Sequence, residues 1–138
     1  MGTPSTVPIL VDSNVILDLV SQDSTWLDWS KSALEQYSSH GLLANAMVYA
    51  ELCGAAETAA DVDALLVELS VTLSEIPREA LFLAAKAHLS YRRQGGTRAT
   101  GLPDFFIGAH AQSLGIPILT RDKGRYQSYF PRVSLICP

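Results

Sequence analysis

Short apolar runs and amphipathic stretches alternate along the whole chain. Pro8 to Val11 is apolar, with β-branched Ile9 and Val11, and predicts a buried strand ending at Asp12. Ser13 or Asn14 is placed to cap a helix to about Val20. A second amphipathic helix, over about 24–38, puts Trp26, Leu27 and Trp29 with Leu34 and Tyr37 before Gly41 breaks it. Leu42 to Ala44 is the next candidate strand, helices follow over about 46–56 and 58–69, and Val71 to Ile76 predicts a third strand. Pro77 suits the first position of a long helix to about Arg93, which the Gly95-Gly96 pair stops. After a polar, basic loop to Pro103, Asp104 opens another helix and Gly115 closes it. Ile116 to Thr120 and Val133 to Ile136 predict the last two strands.

Strands that alternate with helices in this way predict an α/β sandwich, with a small, mainly parallel sheet of four or five strands flanked by helices. Ligand sites in such sheets lie beyond the carboxyl ends of the strands. Asp12 and Asp122 both fall there.

Composition narrows the class. The 138 residues, 48% hydrophobic and 17% charged, with no repeat or low-complexity run, suit a single domain over 1–138. The longest apolar runs, such as Ala80 to Ala85, fall far short of the roughly 20 residues that span a bilayer. Residues 1–8 have neither the basic nor the apolar region of a signal peptide. A cytoplasmic protein without a membrane partner is expected. Cys53 and Cys137 have no Cys or His neighbour at zinc-ligand spacing and are expected to be reduced core residues. His40, His88 and His110 are isolated, and His110, six residues past Asp104, lies on a different helical face. No histidine is assigned a catalytic role.

Charge is split along the chain. Residues 1–85 hold two basic side chains, Lys31 and Arg78, against twelve acidic ones; from Lys86 onward eight basic residues face only Asp104 and Asp122. The overall pI near 5.2 therefore coexists with a basic second half, the footprint of an anionic partner or simply an uneven solvated surface.

Four carboxylates are the candidate chemistry. Asp12, Asp104 and Asp122 each have a structural alternative, because Asp is a favoured helix-cap and turn residue. Glu51 is harder to explain that way: its neighbours one helical turn away are Met47, Val48, Gly54 and Ala55, so it lies on an apolar or small face. A carboxylate there needs a partner, either a base such as Arg92 or Lys86 or a bound cation. Acids gathered at one sheet mouth would repel by about 4 kcal/mol per close pair at an effective dielectric of 20. A divalent ion offsets that repulsion, and an all-oxygen donor set selects Mg²⁺ or Mn²⁺, as one ion or as two roughly 4 Å apart. Such a site suits phosphodiester hydrolysis by activated water, without a covalent enzyme intermediate.

Asp12 with Asn14 in VDSNVILD, Glu51 in AELCG, Asp104 in GLPDFFIGAHAQSLGIPILTRD and Asp122 in TRDKGRYQSYFP resemble the four acidic motifs of PIN domains. Their order and contexts are most similar to the VapC-type toxin ribonucleases of toxin-antitoxin pairs, over residues 8–138. PDFFIGAHA, the LTRD segment and YFP carry most of the specificity. The resemblance implies an endoribonuclease dependent on Mg²⁺ or Mn²⁺, with Asp12, Glu51, Asp104 and Asp122 as its acidic, metal-holding site and Asn14 and Thr120 supporting it. It also implies a homodimer held inactive by a cognate antitoxin that occupies a groove near the site. On that reading Arg92, Arg93, Arg98, Arg121, Lys123 and Arg125 hold RNA phosphates. Tyr126 or Tyr129 is a candidate for stacking a base, against a plain core role. Trp26 and Trp29 are expected in the core, an exposed pair pointing instead to a protein partner.

Two rivals remain. A haloacid-dehalogenase-like phosphatase also starts with an Asp after strand 1 but wants a second Asp where Asn14 stands. A non-catalytic, PIN-like RNA-binding module would bind RNA without any divalent-ion dependence.

Overall fold

The computed structural model describes residues 7–95 and 101–138. Five short parallel strands, β1 (Ile9–Val11), β2 (Leu42–Ala44), β3 (Val71–Leu73), β4 (Ile118–Leu119) and β5 (Leu135–Ile136), form one sheet in the order β3-β2-β1-β4-β5. The flanking helices are α1 (Ser13–Ser21), α2 (Leu27–Tyr37), α3 (Ala46–Cys53), α4 (Ala59–Glu68), α5 (Arg78–Arg93) and α6 (Leu102–Leu114). This is the expected α/β architecture, with a wholly parallel sheet covered by helices. Among the described residues no helix is long and apolar enough to cross a membrane.

The central strand β1 is buried along its length, which explains its unbroken apolar run ILV. From β1 the chain builds outward to β2 and β3, then returns to the other side of β1 for β4 and β5. The reversal makes the carboxyl ends of β1 and β4 a topological switch point, where a crevice opens between neighbouring crossovers. Asp12 follows β1, and Thr120 follows β4 directly beside it, both buried; the backbone N–H of Asp12 donates to the Leu119 carbonyl at 2.9 Å.

Packing against the sheet explains the motif PDFFIGAHA. Phe105, Ile107, Ala109, His110 and Ala111 of α6 are buried. Gly108 is where Phe130 crosses the helix: a Cβ there would overlap the Phe130 ring, so only glycine admits the contact. Phe105 also meets Phe130 and Tyr129, at ring separations of 6.2 and 5.3 Å. The segment after β4 is thereby fastened over α6.

Several boundaries differ from the sequence expectation. The cap position of α1 is Asp12 itself rather than Ser13 or Asn14, and its side chain makes no cap hydrogen bond. Pro77 is the N-cap of α5 rather than its first residue, so the helix begins at Arg78, one residue later than expected. Helix α6 starts at Leu102 and Asp104 lies in its first turn, where Oδ2 accepts from the Gly101 N–H at 3.1 Å. Strands β3 and β4 are shorter than their apolar runs, because sheet partners end at Leu73 and Leu119. Trp29 packs on the core, but Trp26 is only half-buried and outside it. Cys53 and Cys137 are free, half-buried thiols, and Cys53 packs on the core.

Candidate active site

Asp12 is the centre of the carboxylate cluster. It is wholly buried, and its two oxygens have different surroundings. Oδ2 accepts from the Tyr126 hydroxyl at 2.8 Å, from Thr120 Oγ1 at 2.9 Å and from Asn14 Nδ2 at a long 3.5 Å. Oδ1 is buried with no hydrogen-bond partner. A charge-bearing oxygen left bare inside a protein is costly, and the nearby positive group is Arg125 Nη1 at 3.7 Å.

Thr120 and Asn14 tie the ends of β1 and β4 together. Thr120 Oγ1 accepts from the Asp122 N–H at 3.1 Å and from Asn14 Nδ2 at 3.3 Å, while Asn14 Oδ1 accepts from the Arg121 N–H at 3.4 Å. The amide of Asn14 is thus engaged on both its oxygen and its nitrogen, and, having no titratable proton, it supplies none of the general acid chemistry that the phosphatase alternative requires.

Asp104 and Asp122 converge with Asp12 on Arg125, in a short 3₁₀ turn over Lys123–Arg125. Arg125 Nη1 is 3.5 Å from Asp104 Oδ1 and 3.7 Å from Asp12 Oδ1, and its Nε is 3.5 Å from Asp122 Oδ2. Glu51 accepts from Ser13 Oγ at 3.0 Å; among the described residues neither Lys86 nor Arg92 pairs with it. Burial raises the Glu51 carboxyl above its ordinary range; the Ser13 hydrogen bond opposes this, and the negative charges of Asp12 and Asp104 add to it. Burial likewise raises Asp104, with Arg125 and the Gly101 N–H pulling it down and Asp12 and Asp122 pushing it up. For Arg125, burial disfavours the cation, but Asp12, Asp104 and Glu51 outweigh it and hold the guanidinium charged above its ordinary value. Tyr126, buried beside Asp12 and Asp104, is pushed well above its ordinary value and stays a donor.

The basic residues separate into distinct groups. Arg121 does not lie free on the surface: its Nε donates to the buried Asp18 at 2.9 and 3.2 Å, Ser30 Oγ donates to the same carboxylate at 2.7 Å, and the guanidinium covers the Trp26 ring at 5.5 Å. Arg125, expected at RNA phosphates, stands among the carboxylates. Lys123, Arg92 and Arg93 are exposed. The end of α5 that carries Arg92 and Arg93 is linked to the Tyr129 segment, whose hydroxyl donates to Gln94 Oε1 at 3.2 Å. Arg98 lies outside the described residues. Tyr126 is buried, so base stacking passes to the half-buried Tyr129 or to neither. His110 is buried and touches Asn45 Nδ2 at 3.1 Å, away from the acids, with burial lowering its basicity.

A family model for the PIN domain matches residues 9–132. The chain belongs to the PIN domain family. This PIN domain is similar in fold to a chain of VapBC2 from Rickettsia felis bound to a promoter DNA fragment, at 14% identity and a TM-score of 0.72, covering 95% of this chain and 98% of that one. It also resembles a chain of VapBC-1 from nontypeable Haemophilus influenzae, at 18% identity and 0.71 over 95% and 98% of the two chains. A chain of a toxin-antitoxin complex from Klebsiella pneumoniae is similar too, at 20% and 0.68 over 94% and 97%. No curated protein matches the sequence.

Three side chains have roles here that the sequence did not suggest: Tyr126 and Ser13 hold Asp12 and Glu51 rather than stacking a base or capping a helix, and Asp18 holds Arg121. Among the described residues no three His, Cys, Asp or Glu side chains are gathered closely enough to hold an ion as they stand. The donor set nonetheless fits one. It is all oxygen, it suits a hard divalent cation, and Asp12 Oδ1 is a buried acceptor without a hydrogen bond.

Proposed function

We propose that residues 1–138 act as one domain, an endoribonuclease dependent on Mg²⁺ or Mn²⁺ and the toxin of a toxin-antitoxin pair. The supporting observation is Asp12: a carboxylate held by three donors on Oδ2, with its bare Oδ1 turned toward the side where Asp104, Asp122 and Arg125 meet. Asp12, Glu51, Asp104 and Asp122 would hold the ion. When bound, it supplies an activated water as nucleophile near neutral pH and offsets charge developing on the phosphate oxygens.

The chain's own groups do the rest. Tyr126 and Thr120 fix the Asp12 carboxylate in one orientation, and Ser13 does the same for Glu51. The exposed side chains of Lys123, Arg92 and Arg93 take RNA phosphates, which position the strand without reading its sequence. Asp122, with a half-exposed side chain, stands at the rim where substrate enters.

The proposed antitoxin fits the groove between α1 and α4, a cavity of about 450 Å³ lined by Leu17, Val20, Leu52, Val62 and Leu65 and rimmed by Glu57, Asp61 and Glu68. An apolar segment with basic flanks complements it. The fold likeness to VapBC and toxin-antitoxin chains supports this partner. Self-association into a homodimer has a candidate surface in the exposed Leu81, Phe82 and Leu89 of α5. A cytoplasmic setting accords with free thiols.

Incubation of the purified chain with RNA and with single-stranded DNA of the same sequence tests the activity. RNA cleavage in Mg²⁺ or Mn²⁺, abolished by EDTA and by Asp12→Asn, is expected. RNA binding with no cleavage and no ion dependence would identify the non-catalytic module instead.

A further inference from the structure

The cation among the carboxylates belongs to the protein itself. Arg125 reaches three of the four acids at 3.5–3.7 Å, and it also confronts the otherwise bare Asp12 Oδ1. None of these contacts is tight. The same structure contains a well-made arginine pair for comparison, Arg121 on Asp18 at 2.9 and 3.2 Å, with Ser30 completing the carboxylate. Arg125 neutralises the acids from a distance at which no single carboxylate locks it.

Its backbone is fixed while its side chain has a way out. Tyr126, the next residue, is wholly buried and bonded to Asp12, which pins the chain at this point. The Arg125 side chain retains 30% of its exposure, so a rotamer change carries the guanidinium toward solvent without moving the turn. A guanidinium and a divalent ion bound through short oxygen bonds compete for the same carboxylates, since like charges at such range repel.

We propose that Arg125 is the resident cation of the ion-free site: it leaves the carboxylates when a divalent ion enters, and outside them it takes an RNA phosphate. This rests on the ion-dependent reading above. Ion loading and substrate binding are then coupled through one side chain. Arginine suits the second role, because its guanidinium meets phosphate in a bidentate fork.

The consequence is a lowered apparent ion affinity. If the guanidinium holds the acids about nine-tenths of the time, the ion binds about tenfold more weakly than to the bare site. Calorimetric titration of Mn²⁺ into ion-free protein, without RNA, measures this for wild type, Arg125→Ala and Arg125→Gln. Both variants should bind Mn²⁺ more tightly, by about tenfold, and RNA binding in the presence of the ion should weaken. Melting in EDTA gives a second readout. The variants should melt lower than wild type without ion, and Mn²⁺ should raise their melting temperatures by the larger amount.

Wild-type binding of Mn²⁺ with equal or weaker binding by both variants would overturn the role of Arg125 and leave the ion reading intact. Failure of wild type and variants alike to bind Mn²⁺ would overturn both. Should Arg125→Ala not fold without ion, Arg125→Gln, which keeps most of the side chain's volume and polarity, carries the comparison.

Discussion

Replacing Tyr126 with Phe removes one oxygen and leaves the buried ring in place, so the loss isolates a hydrogen bond rather than a cavity. The hydroxyl donates to Asp12 Oδ2 at 2.8 Å inside the protein. Hydrogen bonds to charged groups contribute about 1.5–3 kcal/mol. Thr120 keeps its own 2.9 Å bond to the same oxygen, so Asp12 is not stripped and about 2 kcal/mol is the expected loss. For a chain of this length that lowers the melting temperature by roughly 4–10 °C. Because burial pushes the tyrosine well above its ordinary value, the donor persists to alkaline pH and the difference should hold there. Urea and thermal unfolding of ion-free protein measure the effect, and Thr120→Val completes a double-mutant cycle on the shared oxygen. The cycle should show coupling, since each donor partly covers for the other. Equal stability of Tyr126→Phe and wild type would mean that Oδ2 is not held this way, and the orientation that frees Oδ1 would lose its support.

Glu51→Gln should stabilise ion-free protein at neutral pH while abolishing RNA cleavage. The Glu51 carboxyl titrates above its unfolded value, so its ionisation disfavours the fold as pH rises through that raised range, and the gain should shrink toward pH 4. Melting curves across pH check the sign. Arg121→Ala should cost about 3 kcal/mol, more than Asp18→Asn, because it leaves a buried carboxylate with only Ser30, whereas the guanidinium can reach water. Gly108→Ala should destabilise by about 1–3 kcal/mol, although alanine is the better helix former, because its methyl group meets the Phe130 ring. A titration of the His110 ring by nuclear magnetic resonance should find it neutral to below pH 6.5. Its contribution to stability is therefore complete above that pH and falls as the solution is acidified through it.

The order of strands and helices was legible because apolar runs bounded by Gly, Pro and polar residues mark short buried strands. Their ends were not, because hydrogen-bond partners decide where two- or three-residue strands stop. Asp104 illustrates the difficulty: an Asp after Pro103 reads as a helix opener, yet its side chain reaches back to the Gly101 N–H and the helix begins earlier. Glu51 stood out as a carboxylate on an apolar helix face. The same argument applied to Asp18 in VILDLV points to a buried carboxylate in need of a partner, the place that Arg121 fills. Arg125 was beyond this kind of reading. It sits in a three-residue turn with no periodicity to aim its side chain, and only the approach of β1 and α6 brings Asp12 and Asp104 to it. Tyr126 was hidden for the same reason, since a buried aromatic near a chain end reads as core and its hydroxyl has no sequence signature.

Asp12 Oδ1 is the proposed ion ligand, and anomalous X-ray diffraction from crystals soaked in Mn²⁺ tests that atom directly. A manganese peak bonded to Asp12 Oδ1 and shared with other carboxylates of the set, with Arg125 displaced from them, is the predicted result. Full soaking with no peak at Asp12 and the guanidinium still among the acids would contradict it.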